Sequence, residues 1–250
     1  MEEQVRGLVA FGLTLILVML RAEAERFGAA EYDEPVGGHP PSLMRRIAWY
    51  AVGLGGVIAI LFIHPAPGRD LYLVGGGGNG ILLGFVLAAL GGGLAVLLAW
   101  LRYQYVRLPD LSQYPGAIVN EIVTAVFDEA VFRGALLGFL VIGGVDPLLA
   151  VLAQASLYSL ATRLGAPGRD RSMFLLSIAF GLVGGWATVF TGGIAASILG
   201  HGVTRVAVFL TTGHPGQPAP RGTEIEEVER KRRAPDGWRV VAGRDAHRDR

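Results

Sequence analysis

Apolar residues gather into seven stretches separated by polar breaks: Val5–Leu20, Ile47–Ile63, Ile81–Leu101, Ala117–Ile142, Leu148–Ala161, Phe174–Phe190 and Ile194–Thr212. Each approaches the roughly 20 residues that a helix needs to cross a bilayer. The fifth is the shortest, and reaches full length by tilting or by continuing to Leu164. The pattern predicts an all-α fold, a polytopic membrane helix bundle of about seven transmembrane helices. It also divides the chain into a transmembrane body over residues 1–213 and a charged tail over residues 214–250. In the tail, acidic and basic blocks alternate over Glu224–Arg233, and Ala234–Val241 has the make-up of a small turn and strand.

Basic residues alternate between the connections. Arg21, Arg26, Arg45 and Arg46 lie between the first two stretches, Arg102 and Arg107 after the third, and Arg163, Arg169 and Arg171 after the fifth. Opposite them, the N-terminus has only Arg6, the second connection only Arg69, and Gly143–Pro147 and Thr191–Gly193 carry none. Positive residues stay on the cytoplasmic side, so the N-terminus is expected outside and the tail inside. Ala22-Glu23-Ala24 after the first stretch also fits a signal-peptide cleavage site. The acidic start (Glu2, Glu3) and the basic Arg45 and Arg46 favour an uncleaved first span.

Composition agrees. Hydrophobic residues make up 52% and charged residues 17%, well below the roughly 25% charge of a soluble domain, and mean hydropathy is +0.46. The expected location is the cell membrane, in bacteria the inner membrane, with the lipid bilayer as the first partner and no nucleic-acid partner. Without cysteine, disulfides and cysteine-ligated metals are excluded. Glycine is abundant, 37 residues, and recurs at small-xxx-small spacing in Gly80/Gly84, Gly134/Gly138, Gly181/Gly185 and Gly192/Ala196. That spacing lets membrane helices approach closely.

The fourth stretch breaks the apolar rule. It carries Glu121, Asp128, Glu129 and Arg133, although one charge at bilayer depth costs roughly 2.5 to 3.5 kcal/mol. Glu129 and Arg133 are four apart and can pair on one helix face. Asp128 points elsewhere and needs a partner from another helix. Further polar groups are Tyr158, Ser159 and Thr162 in the fifth stretch and His201, Thr204 and Arg205 in the seventh. They form either a polar knot that fixes helix packing or a buried site. His-Glu-x-x-His, Gly-x-Ser-x-Gly and a second membrane aspartate suited to a paired-aspartate protease are all missing. A carboxylate pair and a histidine on different helices remain, the minimum for activating water and holding an oxyanion. No cofactor or metal is expected.

Asp128-Glu129-Ala130-Val131-Phe132-Arg133-Gly134 resembles the Glu-Glu-x-x-x-Arg motif of the CAAX prenyl endopeptidase and bacteriocin-processing (CPBP) family of intramembrane glutamic proteases. Ser156–Thr162 resembles that family's Phe-x-x-x-His motif, and Ser197–Arg205 its His-x-x-x-Asn motif, in the family's order. The resemblance implies that Asp128 stands at the water-activating glutamate, one methylene shorter. Thr162 stands at the histidine that assists it, His201 at the first oxyanion donor and Arg205 at the second, where the family has asparagine. Glu129 and Arg133 match, with Arg133 as a structural ion-pair partner. Asp128, Glu129, Thr162, His201 and Arg205 are therefore expected around one cavity open to the cytoplasmic side.

Two functions follow. One is an intramembrane glutamic endopeptidase, cleaving a peptide or protein substrate of unknown identity with an altered site. The other is a catalytically silent relative acting as a membrane binding, immunity or scaffold protein, with Asp128 and Arg205 paired. A small-solute or proton pathway ranks third, because the paired half-helices of transporter repeats are missing. The charge alternation predicts that reporter fusions at Gly37 and Gly168 both read cytoplasmic. A periplasmic signal from either would reject the seven-span topology.

Overall fold

A computed structural model describes residues 2–27, 43–103, 105–109, 115–165, 171–212 and 238–243. The helices run α1 Glu2–Ala22, α2 Leu43–Ile63, α3 Pro67–Asp70, α4 Gly77–Tyr103, α5 Pro115–Asp128, α6 Leu137–Ile142, α7 Pro147–Leu164, α8 Arg171–Thr191 and α9 Ala195–Thr212. A π-helix, Glu129–Leu136, joins α5 to α6 without a break. Among the described residues, four helices are apolar and long enough to cross a membrane: Glu2–Ala22, Met44–Ile63, Gly77–Leu101 and Phe174–Thr191. A shorter apolar helix covers Ala195–Thr211. The protein is thus a helical membrane protein. Many of its large apolar side chains, among them Leu8, Phe62, Leu90 and Phe190, are exposed on the outside of the bundle, as lipid contact requires.

The all-α bundle stands as expected, with one small addition. Strand β1, Tyr105–Pro109, pairs antiparallel with β2, Trp238–Gly243, in the register Tyr105↔Gly243 to Pro109↔Trp238. The strand expected near Ala234–Val241 is therefore present, and it returns the end of the tail to the connection after α4. The alternating run Glu224–Arg233 lies outside the described residues, as do the reporter positions Gly37 and Gly168.

The π-helix is the centre of the bundle, with all eight of its residues buried. Around it α1 packs on α2 and α7, α4 on α9, and α7 on α8. Asp146 starts α7 as N-cap, accepting from the amides of Leu148 (2.9 Å) and Leu149 (3.4 Å), with Pro147 in the first turn where its missing amide costs nothing. Glycines set the close contacts. A Cβ on Gly84 would meet Leu199 at 2.7 Å, and one on Gly200 would meet Leu87 at 2.8 Å, so α4 and α9 approach through absent side chains. Gly181 lies in the same way against Ala155 of α7.

Gly134 and Gly138 behave differently from the helix-packing pair their spacing suggests. They receive the turn after α3, with Leu73 against Gly134 and the Asp70–Leu71 backbone against Gly138. Leu71 is fully buried there. Tyr72, between the two inserted leucines, has φ 53°, the one positive value among described non-glycine residues. This backbone conformation is unfavourable for a bulky side chain and is held by the packing on either side. A Cβ at Gly138 would lie 2.5 Å from both the Asp70 carbonyl oxygen and Leu71 Cα. Gly138→Ala should therefore destabilise the protein by about 1–3 kcal/mol, read as a lower Tm in detergent. Gly55→Ala, with nothing within 4 Å, should leave Tm near wild type; equal effects would refute the close approach.

Candidate active site

Among the described residues, three buried ion pairs and one histidine hold the charges of this region together. In the first group, Glu129 Oε1 lies 2.6 Å from His201 Nδ1 of α9 and 3.3 Å from Arg133 Nη1 one turn along the π-helix. The Arg133 guanidinium sits 4.0 Å above the centre of the Tyr158 ring of α7, and the Tyr158 hydroxyl is 3.4 Å from His201 Nε2. Phe180 of α8 stacks on the imidazole, centroids 5.9 Å apart. The i,i+4 spacing that predicted the Glu129–Arg133 pair is met.

Asp128 faces away from this group. Its Oδ1 lies 2.7 Å from Nε of Arg21, at the end of α1, with both side chains buried. Arg205 Nε lies 2.9 Å from Glu121 Oε2, and Asn120 donates to Glu121 Oε1 at 3.2 Å. Tyr50 of α2 completes that cluster, 2.7 Å from both Asn120 Oδ1 and Thr124 Oγ1. The expected Asp128–Arg205 pair is thereby corrected: each charge has a nearer partner. Thr162 is buried, and its hydroxyl has no hydrogen-bond partner among the described residues.

A cavity of about 250 Å³ opens between α4 and α8 and ends on α9. Its walls are apolar, with Leu87, Leu90 and Leu94 on one side and Phe180 and Val183 on the other, and its polar groups are Glu129, Ser197 and His201. Leu90 and Val183 are also exposed on the outer face, so the opening is lateral, towards lipid. The residues expected around one cavity thus separate: Glu129 and His201 line it, whereas Asp128, Thr162 and Arg205 do not. Gly184 makes the room at the polar end. A Cβ there would lie 3.4 Å from Arg133 Nε and 3.6 Å from Glu129 Oε2. Both of those atoms are buried without a hydrogen-bond partner among the described residues. A carboxylate oxygen and a guanidinium nitrogen therefore both lie against Gly184, and Glu129 meets the cavity there. Among the described residues, no three His, Asp or Glu side chains come together to hold a metal.

Arg21, Glu121 and Tyr158 were not anticipated as partners of these groups. Arg21 reads as a flanking topology charge, yet it belongs to α1 and is buried. Tyr158 lies in the recognised motif, where its hydroxyl was the available signal.

Residues 110–207 match the family model for type II CAAX prenyl endopeptidase Rce1-like proteins. That region holds all three motif segments and supports their likeness to the CAAX protease (CPBP) family. Helices α1 to α4 precede the matched region, so Arg21 and the apolar wall of α4 are additions to it. No curated protein and no solved structure matches the chain.

The Glu121–Arg205 pair gives a direct test. Arg205→Asn leaves a buried carboxylate unpaired and should cost about 3–5 kcal/mol, seen as lost yield and a lower Tm. Adding Glu121→Gln should recover most of that loss; failure to recover it would show that the two charges do not depend on each other.

Proposed function

We propose that the chain is an intramembrane peptidase of the CAAX-protease type, with Glu129 rather than Asp128 as the working carboxylate. The observation that carries this reading is the 2.6 Å contact between Glu129 and His201 at the inner end of a lipid-facing cavity. Glu129 Oε2 takes a proton from a water held beside Gly184, and the water oxygen attacks the substrate carbonyl carbon. The proton then passes to the leaving amine as the peptide bond breaks. Arg133, whose Nε lies against Gly184 beside the cavity, stabilises the negative charge that develops on the carbonyl oxygen. The apolar walls exclude bulk water, which strengthens these interactions. The protein sits in the cell membrane with about seven spans, the N-terminus outside and the tail cytoplasmic. The α5–π–α6 segment, α7 and α9 complete the count, their polar residues being shielded by the other helices.

A specific observation favours the silent alternative. Asp128 and Arg205, two motif positions, are tied up by Arg21 and Glu121. A binding or scaffold protein keeps such pairs for packing alone. Cleavage of a peptide library by the full chain in liposomes separates the readings. The peptidase reading expects turnover that Glu129→Gln lowers by about 10²- to 10⁴-fold, while folded Asp128→Asn keeps most of it. Loss of turnover only in Asp128→Asn would return the role to Asp128, and a wild-type protein without turnover would leave the silent reading standing.

A further inference from the structure

The family's Phe-x-x-x-His motif places Tyr158 at the phenylalanine and Thr162 at the histidine. The helix that lost the imidazole at 162 thus carries an extra hydroxyl one turn earlier. That hydroxyl lies 3.4 Å from His201 Nε2, while His201 Nδ1 lies 2.6 Å from Glu129. The Tyr158 ring is fixed on both sides, by the Arg133 guanidinium 4.0 Å over its face and by Phe132 edge-on at 5.2 Å. Tyr158 is 3% exposed and does not line the cavity, so it reaches the site only through His201.

We propose that Tyr158 is a positioning residue, the last member of a carboxylate–imidazole–phenol chain running Glu129–His201–Tyr158 across the π-helix, α9 and α7. A carboxylate only accepts, so in the neutral ring Nδ1 carries the hydrogen and donates to Glu129 Oε1. Nε2 is then left with a lone pair, which accepts from the Tyr158 O–H. The phenol selects one tautomer and one ring orientation, which keeps Glu129 Oε1 occupied and leaves Oε2 as the oxygen free to take a proton. The long separation is compatible with such a role, since hydrogen bonds at an unliganded site tighten when substrate binds. On the same helix as His201, Ser197 donates to the Ile194 carbonyl at 3.0 Å and Thr204 to the Gly200 carbonyl at 2.7 Å, so neither gives its hydrogen to Nε2.

The catalytic part of this inference rests on Glu129 being the working base, so the test reads the chain and the turnover separately. The full-length protein, labelled with ¹⁵N-histidine in detergent micelles, holds five histidines, and His201→Gln identifies the wanted signals. In wild type, Nδ1 should resonate as a protonated nitrogen and Nε2 as a hydrogen-bonded acceptor. Tyr158→Phe removes only the hydroxyl, keeping the ring under Arg133 and beside Phe132. It should move the Nε2 signal towards that of a free imidazole and lower kcat by about ten- to a hundredfold, within the contribution of an oriented base, with KM unchanged. Tyr50→Phe, which loses a buried hydroxyl in the other cluster, should leave the His201 signals in place. An unchanged His201 spectrum in Tyr158→Phe overturns the proposal, as does an unchanged kcat in a protein that turns over. A shifted spectrum in a protein without turnover supports the chain and rejects only the peptidase reading.

Discussion

A charge inside a bilayer-spanning bundle is tolerated only beside its opposite, and that constraint organises this protein more than any other. Three carboxylates, Glu121, Asp128 and Glu129, lie on one continuous helical segment, and three arginines, Arg21, Arg133 and Arg205, answer them from α1, the π-helix and α9. Removing one member of a buried pair costs several kcal/mol, whereas the intact pair contributes little net stability. The pairs therefore act as register pins. Arg21–Asp128 and Glu121–Arg205 fix how α1 and α9 sit on that segment, whereas Glu129–Arg133 stays within it.

The π-helix serves this arrangement. Short π segments are rare and cluster at functional sites, and here the wider turn occupies the motif residues Glu129–Leu136. Asp128 and Glu129, adjacent in sequence, look to opposite neighbours, one to Arg21 and one to His201. Gly134 and Gly138 let the turn after α3 press onto the same segment, so the centre is clamped by helices around it and by a loop at one end. Gly184 then lets Glu129 and Arg133 pack against α8, where Glu129 Oε2 and Arg133 Nε have no hydrogen-bond partner among the described residues.

Much of this was legible in the sequence, and the rest was hidden for identifiable reasons. The apolar stretches, the Glu129–Arg133 spacing and His201 could be read from periodicity and from the cost of burying charge. The strand in the tail could be read from its Val-rich run. Partner choice between helices could not, because it depends on azimuth and tilt, which no residue spacing encodes. Asp128 was matched in expectation with Arg205, yet Arg21, which reads as a flanking charge, is its partner. The π-helix has no compositional signature, so the divergence between Asp128 and Glu129 was underestimated. The glycines at 134 and 138 carry the same spacing as those at 181 and 185, yet they meet a loop rather than a helix.

The departures from the family's motifs are then not independent losses. Arginine at 205 is accommodated by Glu121, and a carboxylate at 128 by Arg21, which lies outside the matched region altogether. Each of these two charges is paired locally, while Glu129, Arg133 and His201 contact one another. The acidic residue removed from the cavity and the one retained in it are neighbours on the chain. What separates them is which side of the segment carries the cation alone and which carries a cation together with an imidazole. The imidazole, which can both give and take a proton, lies against Glu129 and not against Asp128.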